Sequence, residues 1–127
     1  MIVLDASVLI AHLNPADAHH AAATTILLES APGSMRVHTI TLAEVLVGGV
    51  RVGRGAAMRD DLLAAGIDVA VHDADEPLRL AQLRATSGLK LPDCGVLDVA
   101  ISHHAALATF DDALAAAARQ RGVVVLP

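Results

Sequence analysis

Four carboxylates, Asp5, Glu44, Asp93 and Asp111, are the residues of this 127-residue chain whose types and spacing most suggest chemistry. Asp5 directly follows the apolar run Ile2-Val3-Leu4, and Asp111 follows the run from Ala106 to Phe110. Asp93 comes just after Pro92, and Glu44 closes the stretch Thr41-Leu42-Ala43. Brought together, two like charges about 4 Å apart repel by about 4 kcal/mol at an effective dielectric near 20, and at least one carboxyl pKa would rise. Only Lys90 supplies a positive charge near Asp5, Glu44 or Asp93 in the sequence. A hard divalent cation is the economical counter-charge, because oxygen-only donors suit Mg²⁺ or Mn²⁺. Such an ion can activate water and stabilise an in-line displacement at phosphorus.

Each acid also has a structural reading. Asp5, Asp93 and Asp111 stand where an N-cap would, a role worth about 1 kcal/mol. Thr41 and Glu44 match a capping box, with Thr41 as the cap. Yet Glu44 is the one charged side chain between Arg36 and Arg51, among apolar neighbours. Burial of an unpaired charge there would be costly, so Glu44 is expected to face a polar site. Asp98 and Asp112 are possible additions. Asp98 lies about 140° around the helix from Asp93 and is expected to bond a structural partner; Asp112 sits where it would favour a helix N-terminus.

The elements that must position these acids alternate. Strands are expected at 1–4, 37–40, 67–72, 106–110 and 123–126, with helices over about 7–13, 17–29, 41–47, 55–65, 74–87, 92–104 and 111–121. Glycines 48, 49, 53 and 55 are read as a break after the third helix. This order predicts an α/β fold, a five-stranded and mainly parallel sheet with helices on both faces and right-handed crossovers. In such sheets ligands bind outside the carboxyl ends of the strands, where all four acids could project.

Composition narrows the classes. The length fits one domain over 1–127, and with 54% hydrophobic residues but Phe110 as the sole Phe, Tyr or Trp, the core must be aliphatic. No apolar run approaches the roughly 20 residues that span a bilayer, and no secretory signal is visible. Cys94 is the only cysteine, so an intrachain disulfide is excluded and a cytoplasmic location is expected. A net charge of −5 argues against bulk electrostatic capture of nucleic acid. Arg51, Arg54 and Arg59 are the local cluster that could touch an RNA backbone. The glycines around them lack the Lys and Ser/Thr of a phosphate-binding loop. Among the seven histidines, His19-His20 and His103-His104 are adjacent pairs without the spacing of a helical zinc site.

Asp5-Ala6-Ser7 after a strand, Thr41-Leu42-Ala43-Glu44-Val45, Leu91-Pro92-Asp93 opening a helix, and Thr109-Phe110-Asp111 after a late strand resemble, in order, the motifs of a PIN-domain ribonuclease. The whole chain is similar to VapC-type toxins of bacterial type II toxin–antitoxin pairs. The resemblance implies a Mg²⁺- or Mn²⁺-dependent endoribonuclease that hydrolyses single-stranded regions of RNA. It makes Asp5, Glu44, Asp93 and Asp111 the catalytic and metal-site acids, with Ser7 and Thr109 as supporting hydroxyls. It further implies a cognate VapB-type antitoxin, a homodimer and a toxin–antitoxin hetero-oligomer. A groove lined by Leu9, Leu13, Leu46 and Val50 is the expected docking surface. The alternatives are a catalytically silent PIN-fold binding module and a phosphatase with an aspartyl nucleophile. A phosphatase of the haloacid dehalogenase type would need a second Asp where Ser7 stands.

Overall fold

The first strand is only three residues long, β1 (Ile2–Leu4), yet it becomes the middle of the sheet. The computed structural model, which describes residues 1–127, continues with helices α1 (Ala6–Leu13) and α2 (His20–Glu29), strand β2 (Met35–Val37), and helices α3 (Thr39–Arg51) and α4 (Gly55–Ala64). Strand β3 (Ile67–Val69), helices α5 (Glu76–Ser87) and α6 (Leu91–Ser102), strand β4 (Ala106–Ala108), helix α7 (Asp112–Gln120) and strand β5 (Val125–Leu126) complete it. The strands lie in the order β3-β2-β1-β4-β5, and every pairing is parallel.

Alternation along the strands builds one core on each face. Val3 and Leu107 point to one side, where α6 and α7 contribute Val96, Leu97, Ala100, Leu114 and Ala118. Leu4 and Ala108 point to the other, against Val8 and Leu9 of α1, Leu42 and Val45 of α3 and Leu62 of α4. Helix α6 is buried continuously from Cys94 to Ala100, because α5 packs over the side of it that the sheet leaves open. A helix that is apolar all round needs such double cover.

Several boundaries differ from expectation. The second strand ends at Val37, and His38 caps α3 in place of Thr41: its Nδ1 accepts the Ile40 N–H at 3.1 Å. Thr41 is then inside the helix, and the capping box with Glu44 does not form. Glycines 48 and 49 do not break α3, which runs to Arg51; Gly49 instead lets Met58 of α4 approach within 3.1 Å of where a Cβ would stand. The chain turns at Gly53, in the left-handed region at φ 74°. Strand β4 is shorter than expected because Thr109 and Phe110 turn their side chains and backbone to the site, and β5 is shorter because it starts only at Val125.

Candidate acidic active site

The order in which strands are added reverses between β1 and β4: β2 and β3 lie on one side of β1, and β4 and β5 on the other. In doubly wound sheets the crevice at such a switch point is where ligands bind. Asp5 and Thr109 are the residues that emerge there, one from each of the two paired strands.

Asp5 is buried, with 6% of its surface exposed, so its carboxylate must be satisfied by the protein. Its Oδ1 accepts the Ala6 N–H at 2.8 Å, as the cap of α1. Its Oδ2 accepts the Ser7 hydroxyl at 2.7 Å and the Thr109 hydroxyl at 2.8 Å. Each hydroxyl is fixed in turn by a backbone donor, Ser7 Oγ by the Phe110 N–H and Thr109 Oγ1 by the Asp111 N–H, both at 3.0 Å. A carboxylate offers about four lone-pair sites, so three bonds leave room for one more ligand.

The other acids arrive from three helices. Asp93 stands in the first turn of α6, half-buried, three residues after the cap position at Lys90; it does not itself cap the helix. Asp111 caps α7, where its Oδ1 accepts the Leu114 N–H at 2.9 Å. Glu44 lies in the second turn of α3 and is exposed, in keeping with a charge that must reach a polar surface. The electrostatics at Asp93 tie the group together. Its carboxyl is raised above the ordinary range, first by burial and then by the charges of Asp5, Asp111 and Glu44, while Lys90 opposes the rise. Four acids and one lysine meet at one edge of the sheet, and every donor offered is oxygen. That set fits a hard divalent cation.

His38, His72 and Glu76 form a second cluster, whose ligand atoms lie within 4.8 Å of one another. The four acids are more widely spaced. Yet the histidine cluster does not fit a metal, because His38 Nδ1 spends its lone pair on the Ile40 N–H and Nε2 must therefore carry the ring hydrogen. That hydrogen is donated to Glu76 Oε1 at 2.9 Å. His72 Nδ1 donates to the other Glu76 oxygen, and its Nε2 bonds the Thr39 hydroxyl at 2.7 Å. Burial by itself would raise the Glu76 carboxyl; the bonds from His38 and His72 outweigh it and hold it below the usual range. The cluster is a polar brace between the start of α3 and the start of α5.

Asp98 does not join the acids. It is buried and takes a two-pronged bond from Arg79, at 2.8 Å from Nε and 3.1 Å from Nη2, and Arg79 also grips Asp73. Asp112 lies exposed in the first turn of α7. Arg51 and Arg54 are exposed at the α3–α4 turn, and Arg59 bonds its neighbour Asp60 at 3.0 Å; none of the three is among the charges that act on Asp93. Cys94 is fully buried, which raises its thiol pKa.

The expected groove is shifted. Leu9 is wholly buried in the core. The open groove is lined by Ile10, Leu13, Val47 and Met58, with Glu44 on its rim. A further pairing was not foreseen: the His19 and Phe110 rings stack at 4.3 Å with planes 8° apart, beside Asp111. The lone aromatic next to a site acid was the available signal.

The PIN domain family model matches residues 2–120. No curated protein matches in sequence. Among solved structures, a toxin–antitoxin complex from Klebsiella pneumoniae is 26% identical with a TM-score of 0.72, over 87% of each chain. The Mycobacterium tuberculosis toxin VapC20, described as cleaving the sarcin–ricin loop, superposes with a TM-score of 0.80 at 20% identity over the full length of both chains. VapBC2 from Rickettsia felis, bound to a DNA fragment from its promoter, gives 0.68 at 16% identity, over 98% of this chain and 97% of that one.

Proposed function

The chain belongs to the PIN domain family, and from that premise we infer that it is a metal-dependent endoribonuclease, the toxin of a toxin–antitoxin pair. The observation that carries the reading is the convergence of Asp5, Glu44, Asp93 and Asp111 at the edge of the sheet where β1 and β4 end, with burial and the other three charges raising the Asp93 carboxyl. An acidic cluster at the switch point of a parallel sheet stores repulsion that a divalent cation relieves. The full-length likeness to a toxin described as cleaving the sarcin–ricin loop supports RNA as the substrate.

Asp5, Glu44, Asp93 and Asp111 are the residues that would hold Mg²⁺ or Mn²⁺. A divalent ion there supplies a Lewis acid toward a phosphodiester and lowers the pKa of water. The protein's part is to keep the donors fixed. Ser7 and Thr109 hold the Asp5 carboxylate from one side, so its free lone pair points in one direction. Asp93 and Asp111, each in or beside the first turn of a helix, direct their charge across the same crevice. Glu44, alone on an exposed turn, has the freedom to move toward substrate or ion. With a net charge of −5, the protein offers RNA little positive potential of its own, so a cation held by these acids would be the principal positive charge at the site.

The groove formed by Ile10, Leu13, Val47 and Met58 suits an amphipathic antitoxin helix, and an antitoxin arginine reaching Glu44 would neutralise the acids in place of metal. A homodimer, a single domain over 1–127 and a cytoplasmic location belong to the same reading. No helix is long and apolar enough to cross a membrane.

The test compares the wild-type chain with Asp5→Asn on single-stranded RNA in Mg²⁺, in Mn²⁺ and in chelator. Cleavage should need the metal and disappear in the variant, with circular dichroism unchanged. Equal cleavage by the two proteins would refute the assignment.

A further inference from the structure

Phe110 is the only Phe, Tyr or Trp in the chain, and it packs only in part against the core. It sits half-buried between Thr109 and Asp111, its backbone N–H held by Ser7 Oγ at 3.0 Å. The same hydroxyl bonds Asp5, so the position of the ring is tied to the acidic site through one atom. His19 covers one face of Phe110, with centroids 4.3 Å apart and planes 8° from parallel. His19 is exposed, and the bond that fixes it is made by its backbone N–H to Asp17 at 2.8 Å. The imidazole is therefore held by the stack and presents its other side outward. His19 and Phe110 both line a recess of about 200 Å³, together with Thr109, Asp111, Asp112 and Arg119. Arg119 is exposed in the last turn of α7 and brings a positive charge to an otherwise acidic rim.

A flat ring pair, a recess of nucleobase size and a cation next to a phosphodiester-cleaving centre have a common use. We propose that His19 and Phe110 form a stacking platform for the base of a nucleotide flanking the scissile phosphate, with Arg119 taking that nucleotide's own phosphate. The inference rests on the reading of the four acids as an RNA-cutting site, and it adds a specificity-determining subsite to it. Stacking on aromatic or imidazole rings is how single-stranded RNA bases are commonly held once they are splayed from their neighbours. Phe110 stiffens the histidine, and Ser7 keeps the platform in register with Asp5. Arg119 contributes a contact that is blind to base identity.

Two measurements test it, one without any cleavage. In the first, the full-length chain is titrated with adenosine 5′-monophosphate and, separately, with ribose 5-phosphate, while the His19 ring proton resonances are followed by NMR and assigned through their loss in His19→Phe. The nucleotide should move them by ring current and the sugar phosphate should not; no movement, or equal movement by both, overturns the platform. In the second, 5′ ends are sequenced after digestion of a random single-stranded RNA pool. His19→Ala should raise KM about five- to tenfold and flatten the base preference beside the cut with kcat little changed, and His19→Phe should restore both. Arg119→Ala should raise KM and leave the preference intact. An unchanged KM and preference in His19→Ala, or no rescue by His19→Phe, refutes the proposal. A wild-type chain that binds the nucleotide as described but cuts no RNA would instead count against the nuclease reading alone.

Discussion

Replacing Gly95 by alanine should destabilise this protein, although alanine is the better helix former. A Cβ at Gly95 would meet Cγ, Cδ2 and Cε1 of His38 at 3.0 Å each, well inside the 3.5–4.0 Å of a favourable carbon contact. The ring cannot retreat freely. It is 4% exposed, its Nδ1 is tied to the Ile40 N–H and its Nε2 to Glu76, which His72 holds from the far side. Overpacking of this kind costs about 1–3 kcal/mol, and the helix gains roughly 0.5–1 kcal/mol when glycine becomes alanine. The net expectation is a loss of about 1–2 kcal/mol, or a Tm lower by roughly 4–8 °C in a chain of this size. Urea unfolding followed by circular dichroism measures it. The same substitution made on a His38→Ser background, which keeps a capping hydroxyl but removes the ring, should be neutral or stabilising, so the coupling between the two sites should be of the order of 1–2 kcal/mol. Because His38 starts the helix that bears Glu44, and Gly95 follows Asp93 by two residues, RNA cleavage should also fall in the single variant and recover in the double one. A stabilised Gly95→Ala, or the same cost on both backgrounds, would refute the picture of a braced ring.

Other perturbations have equally definite outcomes. The raised carboxyl of Asp93 means that its ionised form is disfavoured in the metal-free fold; Asp93→Asn should therefore raise the Tm in chelator. Saturating Mn²⁺ should stabilise the wild type by about 2–3 kcal/mol at 100-fold excess over Kd and the variant by less, reversing the order; a variant that gains as much as the wild type would remove Asp93 from the metal site. For Glu76 the sign is opposite. Its folded pKa is depressed, so its contribution is complete above the unfolded value of about 4.3 and is lost as pH falls through the folded value. Glu76→Gln should cost about 1–3 kcal/mol at pH 7, and the gap should narrow on acidification below about pH 4; a gap that stays constant with pH would contradict this. Arg79→Ala strands the buried Asp98 and should cost about 3 kcal/mol in urea unfolding, with a loss under 0.5 kcal/mol as the contrary result.

The parts of the site that the sequence made legible are those set by strand ends. Asp5 and Asp111 follow short apolar runs, and a parallel sheet carries such residues to one edge whatever the details of the helices between. The capping pattern of Thr41 and Glu44 points to a helix that starts at Thr41, whereas the actual cap is His38 and Glu44 lies one turn further in. A histidine with an unprotonated Nδ1 accepts a backbone hydrogen bond as an asparagine does, but nothing in its spacing announces which nitrogen holds the proton. Its partners come from far along the chain, His72 from the loop after β3 and Glu76 from the start of α5, so the brace has no local pattern at all. The partner of Asp98 was hidden for the same reason: Arg79 lies 19 residues away and meets it only after α5 folds over α6. The glycines at 48 and 49 misled because their purpose is proximity, the approach of Met58 to Gly49, and a helix can tolerate them once packing repays the lost propensity.

The bond from Thr109 to Asp5 joins residues 104 positions apart, and it has a consequence for synthesis. A ribosome makes β1 first and β4 near the end, so a growing chain holds Asp5, Glu44 and Asp93 long before it holds the strand that pairs with β1 and the hydroxyl that steadies its carboxylate. The acidic centre cannot assemble until translation of the domain is almost finished. On the reading of these acids as an RNA-cutting site, a nascent chain would lack β4 and the Thr109 hydroxyl that supports Asp5 until residue 109 has been made.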